Sequence, residues 1–190
     1  IPPEVPDRTE LDKKCMTYTT PPLEQDLEVT GHPIIDMSVS STAPGGDFFV
    51  YLSEVTQDGA VVLVTEQPMR ANFASLEDDD TVIMRGESGV DVKPDLPWHG
   101  YEKSDYAEKI FDGAEPVTLR FDLQPTSWIF RKGNRIRVSI AAADHPTFEL
   151  HSSLSAANDP GDPDNIVPEI TFHRGPKHPS RIILPVVGEE

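Results

Sequence analysis

Apolar and polar positions alternate along most of the chain, and a period of two marks strands with one buried face. The clearest run is VTLRFDL, which puts Val117, Leu119, Phe121 and Leu123 on one side and Thr118, Arg120 and Asp122 on the other. IIDMSVS assigns Ile35, Met37 and Val39 to a core face, against Asp36, Ser38 and Ser40 facing out. DFFVYLSEVTQDGAVVLVTE reads as two β-rich runs joined through Asp58-Gly59, a dipeptide that favours a tight hairpin turn. CMTYTT, LEVTG, PMRANF, ITFHR and RIILPVV supply further strands. Helical spacing is nearly absent, and only SDYAEKIF has room for two turns. About ten short strands separated by turn signals predict an all-β antiparallel sandwich. Residues 1–190 are read as one domain, with a core large enough for a chain of that length.

The stretch FRKGNRIRVSIAAADHP gathers Arg131, Lys132, Arg135 and Arg137. Lys132-Gly133-Asn134 predicts a turn, and the strand after it points Ile136, Val138 and Ile140 inward. Arg135 and Arg137 then share its outer face, with Arg120 and Asp122 on a similar strand supplying opposite charge. The wider balance supports a strand exterior over a nucleic-acid footprint. Sixteen Lys and Arg against 33 Asp and Glu give a net charge of −17. A phosphate backbone or anionic membrane surface needs a positive face. No apolar run approaches the ~20 residues of a membrane span.

One region does not alternate. Residues 85–116 form a long irregular excursion carrying Trp98, His99, Tyr101, Tyr106 and Phe111. Its aromatics fit packing on this sandwich or on an adjoining domain. They also suit a ligand platform, because aromatic faces stack on sugars.

Candidate chemistry is sparse. A hydrolase elbow requires G-x-S-x-G between a strand and a helix. GESGV, with Ser88, has neither the spacing nor the flanking elements. Cys15 follows Lys13-Lys14, which could activate a thiol, but it opens an apolar run and reads as a small buried hydrophobe. None of His32, His99, His145, His151, His173 and His178 has a zinc-type spacing partner. Asp144-His145 resembles half of a catalytic relay with no evident nucleophile, so an interface role fits it better. Asp159, Asp162 and Asp164 are a weak calcium candidate, since turn-forming Pro and Gly explain NDPGDPDN equally well. The acidic run Glu77–Asp80 reads as a solvated loop tip. No cofactor is expected. A single cysteine and the lack of a signal-peptide layout lean towards a cytoplasmic setting.

Three blocks, in order, carry a resemblance: YTTPPLEQDLEVTGHPIIDMSVSSTAPGGDFFVYLSEVTQDG, DLQPTSWIFRKGNRIRVSIAAAD and HRGPKHPSRIILPVV. They resemble the C-terminal domain of the X-prolyl dipeptidyl aminopeptidase and cocaine esterase group of serine hydrolases, over residues 16–188. The resemblance implies a jelly-roll sandwich of galactose-binding-like fold. It also implies a partner, the catalytic α/β-hydrolase domain of the same polypeptide, which carries the Ser, Asp and His triad. No catalytic residue carries over to this chain, and the full-length protein could form a homo-oligomer. LPWHGYEKSDY is similar to a Pro-aromatic-His stretch in some members and is expected at the interdomain seam. ADHPTFELHSSLSAANDPGDPDN replaces the aromatic step and Asn-rich loop common in the group. The interface or ligand candidates are therefore Trp98, His99, Tyr101, Tyr106, Trp128, Asp144 and His145. The alternative function is a carbohydrate-binding module using the aromatic excursion. A self-contained enzyme using Ser88 and Asp144-His145 is a third reading.

Overall fold

The computed structural model describes residues 7–76, 84–85, 91–92, 96–113, 115–144, 147–148 and 168–188. Ser88, the acidic run 77–80, His145, His151 and the Asp159, Asp162 and Asp164 cluster lie outside the described residues. Twelve strands follow in chain order. They are β1 (Met16–Thr19), β2 (Leu27–Gly31), β3 (Ile34–Ser41), β4 (Asp47–Val55), β5 (Val61–Arg70) and β6 (Met84–Arg85). After these come β7 (Asp91–Val92), β8 (Val117–Asp122), β9 (Thr126–Phe130), β10 (Arg135–Ala141), β11 (Ile170–His173) and β12 (Arg181–Ile183). All pairings among them are antiparallel. No α-helix occurs among the described residues, and none of their helices is long and apolar enough to cross a membrane.

Two sheets face one another. The first has the order β1-β10-β4-β5; in the second, β3 pairs with β8 on one side and with both β11 and β12 on the other. Alternation buries Phe48, Val50 and Leu52 of β4 and Ile136 and Ile140 of β10 in one cluster with Ile35, Met37 and Val39 of β3 and Leu119 and Phe121 of β8. That shared cluster makes the chain a β-sandwich. The β4–β5 hairpin turns where expected, with Gly59 at φ +93 and Thr56 N–H donating to the Ala60 carbonyl at 3.0 Å. Gly133 takes φ +83 in the turn before β10.

Four expectations need correction. Asp36 and Ser38 on the other face of β3 are buried, not solvated. Arg120 reaches Asp36 at 2.6 Å and Arg181 reaches it at 2.8 Å, so a carboxylate on the central strand laces both neighbours and is covered by them. The PMRANF run is strand only as far as Arg70; Ala71–Phe73 is a 3₁₀ turn. SDYAEKIF forms no helix beyond a 3₁₀ turn at Lys103–Asp105. Its backbone is bonded elsewhere, Ala107 N–H to the Asn72 carbonyl at 2.8 Å and Ile110 N–H to Pro44 at 2.8 Å, and tertiary bonds override weak helical propensity. Lastly, Arg135 and Arg137 do not draw on Arg120 and Asp122, because β8 belongs to the opposite sheet. Arg137 is half-buried, 3.5 Å from Asp12 and donating to Thr19 Oγ1 at 2.9 Å; Arg135 donates to the Thr20 carbonyl at 3.0 Å.

The N-terminal segment explains that burial. It lies across the outer face of the first sheet. Arg8 places its guanidinium 3.4 Å from the centroid of the Tyr51 ring and bonds Asp12 at 3.3 Å. Asp12 also accepts from Ser139 Oγ at 2.8 Å. The Tyr51 hydroxyl donates to Asp144 at 2.7 Å, and burial, helped by that carboxylate, raises the phenol well above its usual range.

Candidate functional site

The C-terminal part of the excursion is held by the sandwich. Phe111 is fully buried and meets Phe48 edge-on at 6.1 Å. Asn72, just after β5, donates to the Ala107 carbonyl at 2.7 Å and accepts Ala107 N–H on its own carbonyl. Gly45 lets Asn72 lie this close: a Cβ there would sit 2.2 Å from the Asn72 amide oxygen.

Ahead of these anchors in the chain, residues 96–101 form a corner against the end of β5 and β8. His99 sits between two carbonyls, Nε2 at 2.8 Å from Arg120 O and Nδ1 at 3.1 Å from Ser75 O. A carbonyl only accepts, so a neutral imidazole, with one N–H, satisfies one of them at a time. Leu76 bridges to His99 through the backbone. Tyr101 packs on Phe73 at 5.5 Å with the rings inclined by 50°, and Tyr106 meets Phe73 at 5.2 Å and 72°. Asp122 bonds His32 Nδ1 at 2.7 Å. Gln67, Trp98, His99, Tyr101, Phe121 and Asp122 border a small cavity of about 140 Å³.

Two features mark this corner. Trp98 Nε1 is buried and has no hydrogen-bond partner among the described residues. Leaving such a donor unmet costs roughly 1–3 kcal/mol. Tyr101 is 67% exposed and Leu76 51% exposed beside it. The remaining candidates are used within the sandwich. Trp128 packs on the core, and its indole N–H donates to Glu54 at 3.0 Å. Glu54 also accepts Arg131 N–H at 2.7 Å and Asn134 Nδ2 at 2.8 Å, so one buried carboxylate pins the β9–β10 turn. Asp144 serves Tyr51.

Ser40 Oγ lies 2.9 Å from His173 Nε2, but no carboxylate pairs with that imidazole among the described residues, and none of their His, Cys, Asp and Glu side chains group in threes as metal ligands. Cys15 is half-buried and bonds the Leu11 carbonyl through its sulfur at 3.7 Å. Burial raises its thiol above the usual range, the reverse of an activated nucleophile. Sequence reasoning missed the Arg8–Asp12 pair, the Glu54 hub and the orphan donor on Trp98. Only the i, i+4 spacing of Arg8 and Asp12 could have signalled any of them.

The comparisons with known proteins agree with this geometry. The family described as the X-Pro dipeptidyl-peptidase C-terminal non-catalytic domain matches residues 5–183, and the chain belongs to that family. A Mycobacterium tuberculosis protein designated a serine esterase is 36% identical over 182 residues, covering 96% of this chain and 25% of that protein. Cocaine esterase of Rhodococcus sp. is 25% identical over 173 residues, 90% of this chain and 25% of the enzyme. The chain thus spans about a quarter of the length of these relatives. Among solved structures, an alpha-amino acid ester hydrolase superposes with a TM-score of 0.70 at 18% identity, over 96% of this chain and 27% of the other. A CocE/NonD family hydrolase from Staphylococcus aureus gives 0.64 at 18% identity, over 95% and 32%. These two likenesses show the fold.

Proposed function

We propose that this chain is the non-catalytic β-sandwich of a serine hydrolase, an X-Pro dipeptidyl-peptidase or acyl esterase. It packs on the catalytic α/β-hydrolase domain of the same polypeptide and shapes the active-site entrance. Its family membership supports the accessory role, as does the alpha-amino acid ester hydrolase likeness, in which the matched part is 27% of a longer chain. The observation that carries the placement is the Trp98 corner, an unmet buried N–H rimmed by exposed Tyr101 and Leu76. Such a corner is satisfied by an acceptor and an apolar surface from a neighbour. In the parent enzyme a serine nucleophile, a histidine base and an oxyanion hole perform the acyl transfer, all supplied by the other domain.

A carbohydrate platform needs two coplanar rings. The 50° and 72° inclinations at Phe73 give this corner a packed cluster instead, which favours the interdomain reading.

The two tryptophans make the placement testable. With Trp128→Phe, emission reports Trp98 alone; with Trp98→Phe it reports Trp128. In the longer polypeptide Trp98 is shielded from acrylamide relative to the 190-residue chain, while Trp128 quenches equally in both. Equal quenching of Trp98 in both refutes the seam. A fluorophosphonate label and ester and Ala-Pro amide assays on the 190-residue chain should be silent; stoichiometric labelling overturns the non-catalytic role.

A further inference from the structure

We propose that the open edge of the sandwich is a binding site for a short aliphatic carboxylate. β11 pairs with β3 down to Ser38, and β12 resumes the pairing at Asp36, so Met37 has no partner on that side. The chain leaves the sheet between Arg174 and Ser180 and returns. Ser180 Oγ closes the gap by accepting Ser38 N–H at 2.9 Å and donating to the His173 carbonyl at 2.6 Å. Under this detour the two sheets part, leaving a cavity of about 260 Å³ that opens to the surface. Its apolar walls are Tyr18, Ile35, Met37, Val50, Val138, Ile140 and Ile182, and Asp36 also lines it.

The rim has the opposite character. Arg174 and Arg181 stand at the mouth. Arg181 shares Asp36 with Arg120, one carboxylate against two guanidiniums, so that cluster retains a positive charge. Arg174 lies over the Tyr18 ring at 5.3 Å, and no carboxylate pairs with it among the described residues. The detour HRGPKHPSRI adds Lys177 and contains no Asp or Glu, in a chain of net charge −17. A local cationic collar on an apolar pit, within an anionic protein, is complementary to a ligand with an alkyl tail and an anionic head. The arginine fork suits a carboxylate in particular. The volume lies just below the usual range for ligand cavities, which starts at about 300 Å³, so the tail is short, about six to eight carbons.

Calorimetric titration of the 190-residue chain with butyrate, hexanoate and octanoate is the test, with n-octanol as the uncharged control. Octanoate binds at one saturable site, and affinity falls about fourfold for each methylene removed. Octanol binds about tenfold more weakly, and Arg174→Gln brings octanoate down to the octanol level without changing octanol itself. Because Arg174 is exposed, this variant tests the collar without disturbing the core. Val138→Trp fills the pit and abolishes both, with folding checked by circular dichroism; if it does not fold, methyl shifts at Ile140 and Ile182 locate the ligand instead. No binding of millimolar octanoate to the folded chain overturns the site. So do a flat chain-length series, equal affinity for octanol and octanoate, or shifts confined to other residues.

Discussion

Two of the polar clusters on this sandwich differ in completeness. On the outer face of the first sheet, Arg8, Asp12, Ser139 and Arg137 satisfy one another, while Tyr51 stacks beneath Arg8 and hands its proton donor to Asp144. At the Trp98 corner a buried N–H has no partner among the described residues, and Tyr101 and Leu76 face outward. The first cluster is closed by the chain itself and so reads as structural. The second is left for something outside it. Unmet donors beside exposed apolar area are a better guide to an interface than aromatic content alone, because Trp128, equally aromatic, has its N–H used by Glu54.

The closed cluster should break hardest. Asp12→Ala leaves Arg8 buried without its carboxylate and should cost about 3 kcal/mol in urea unfolding, with the m-value unchanged. A cost under about 0.5 kcal/mol would mean that water already screens the pair. Glu54→Gln comes next. Three N–H donors converge on its two oxygens, and an amide turns an NH₂ towards one of them. About 2 kcal/mol should be lost, with a red shift of Trp128 emission in a Trp98→Phe background. At the open corner the effect nearly vanishes. Trp98→Phe keeps an aromatic ring but gives up part of the indole's apolar area while deleting the unmet donor, and the two offset, so the 190-residue chain should change by less than about 0.5 kcal/mol. The longer polypeptide should instead lose stability at that seam, and a loss in the short chain would show that the donor is already satisfied.

The smallest effect is electrostatic. Glu66, half-buried beside the Tyr51 network, has its carboxyl raised by burial, with Arg8 opposing and Asp144 adding to the rise. A carboxyl with a raised folded pKa holds its proton longer in the folded state. Its stabilising contribution is therefore complete below the unfolded pKa and is lost as pH rises through the folded value. Glu66→Gln should raise the Tm at pH 7 on the order of 1 °C, with the gain vanishing below about pH 4. An equal gain at both pH values would assign the effect to packing.

Much of the fold was legible in the chain. Period-two runs located β3, β8 and β10 and chose their inward residues, β-rich composition located β4 and β5, and Asp58-Gly59 marked the hairpin. These signals are local: a pleated strand with one buried face must alternate, and a two-residue reversal needs a residue tolerant of positive φ. The errors have the opposite origin. Asp36 and Ser38 look like solvent positions until Arg120, Arg181 and Ser180 arrive from distant parts of the sequence to cover them. SDYAEKIF looks faintly helical until Asn72 and Pro44 claim its N–H groups.

The candidate site was half legible for the same reason. Composition alone singled out Trp98, His99, Tyr101 and Tyr106, and Trp128 with them. It could not say which indole N–H would find an acceptor, because Glu54 is 74 residues from Trp128 in the chain. By itself the sequence determined the class of fold, most of the long strands and the inward faces of β3, β8 and β10, because those follow from backbone geometry and burial of apolar side chains. Tertiary structure alone decided which polar groups were satisfied, where the sheets part to leave a cavity, and which corner was left open. Those outcomes depend on long-range registers, and no stretch of a few residues contains them.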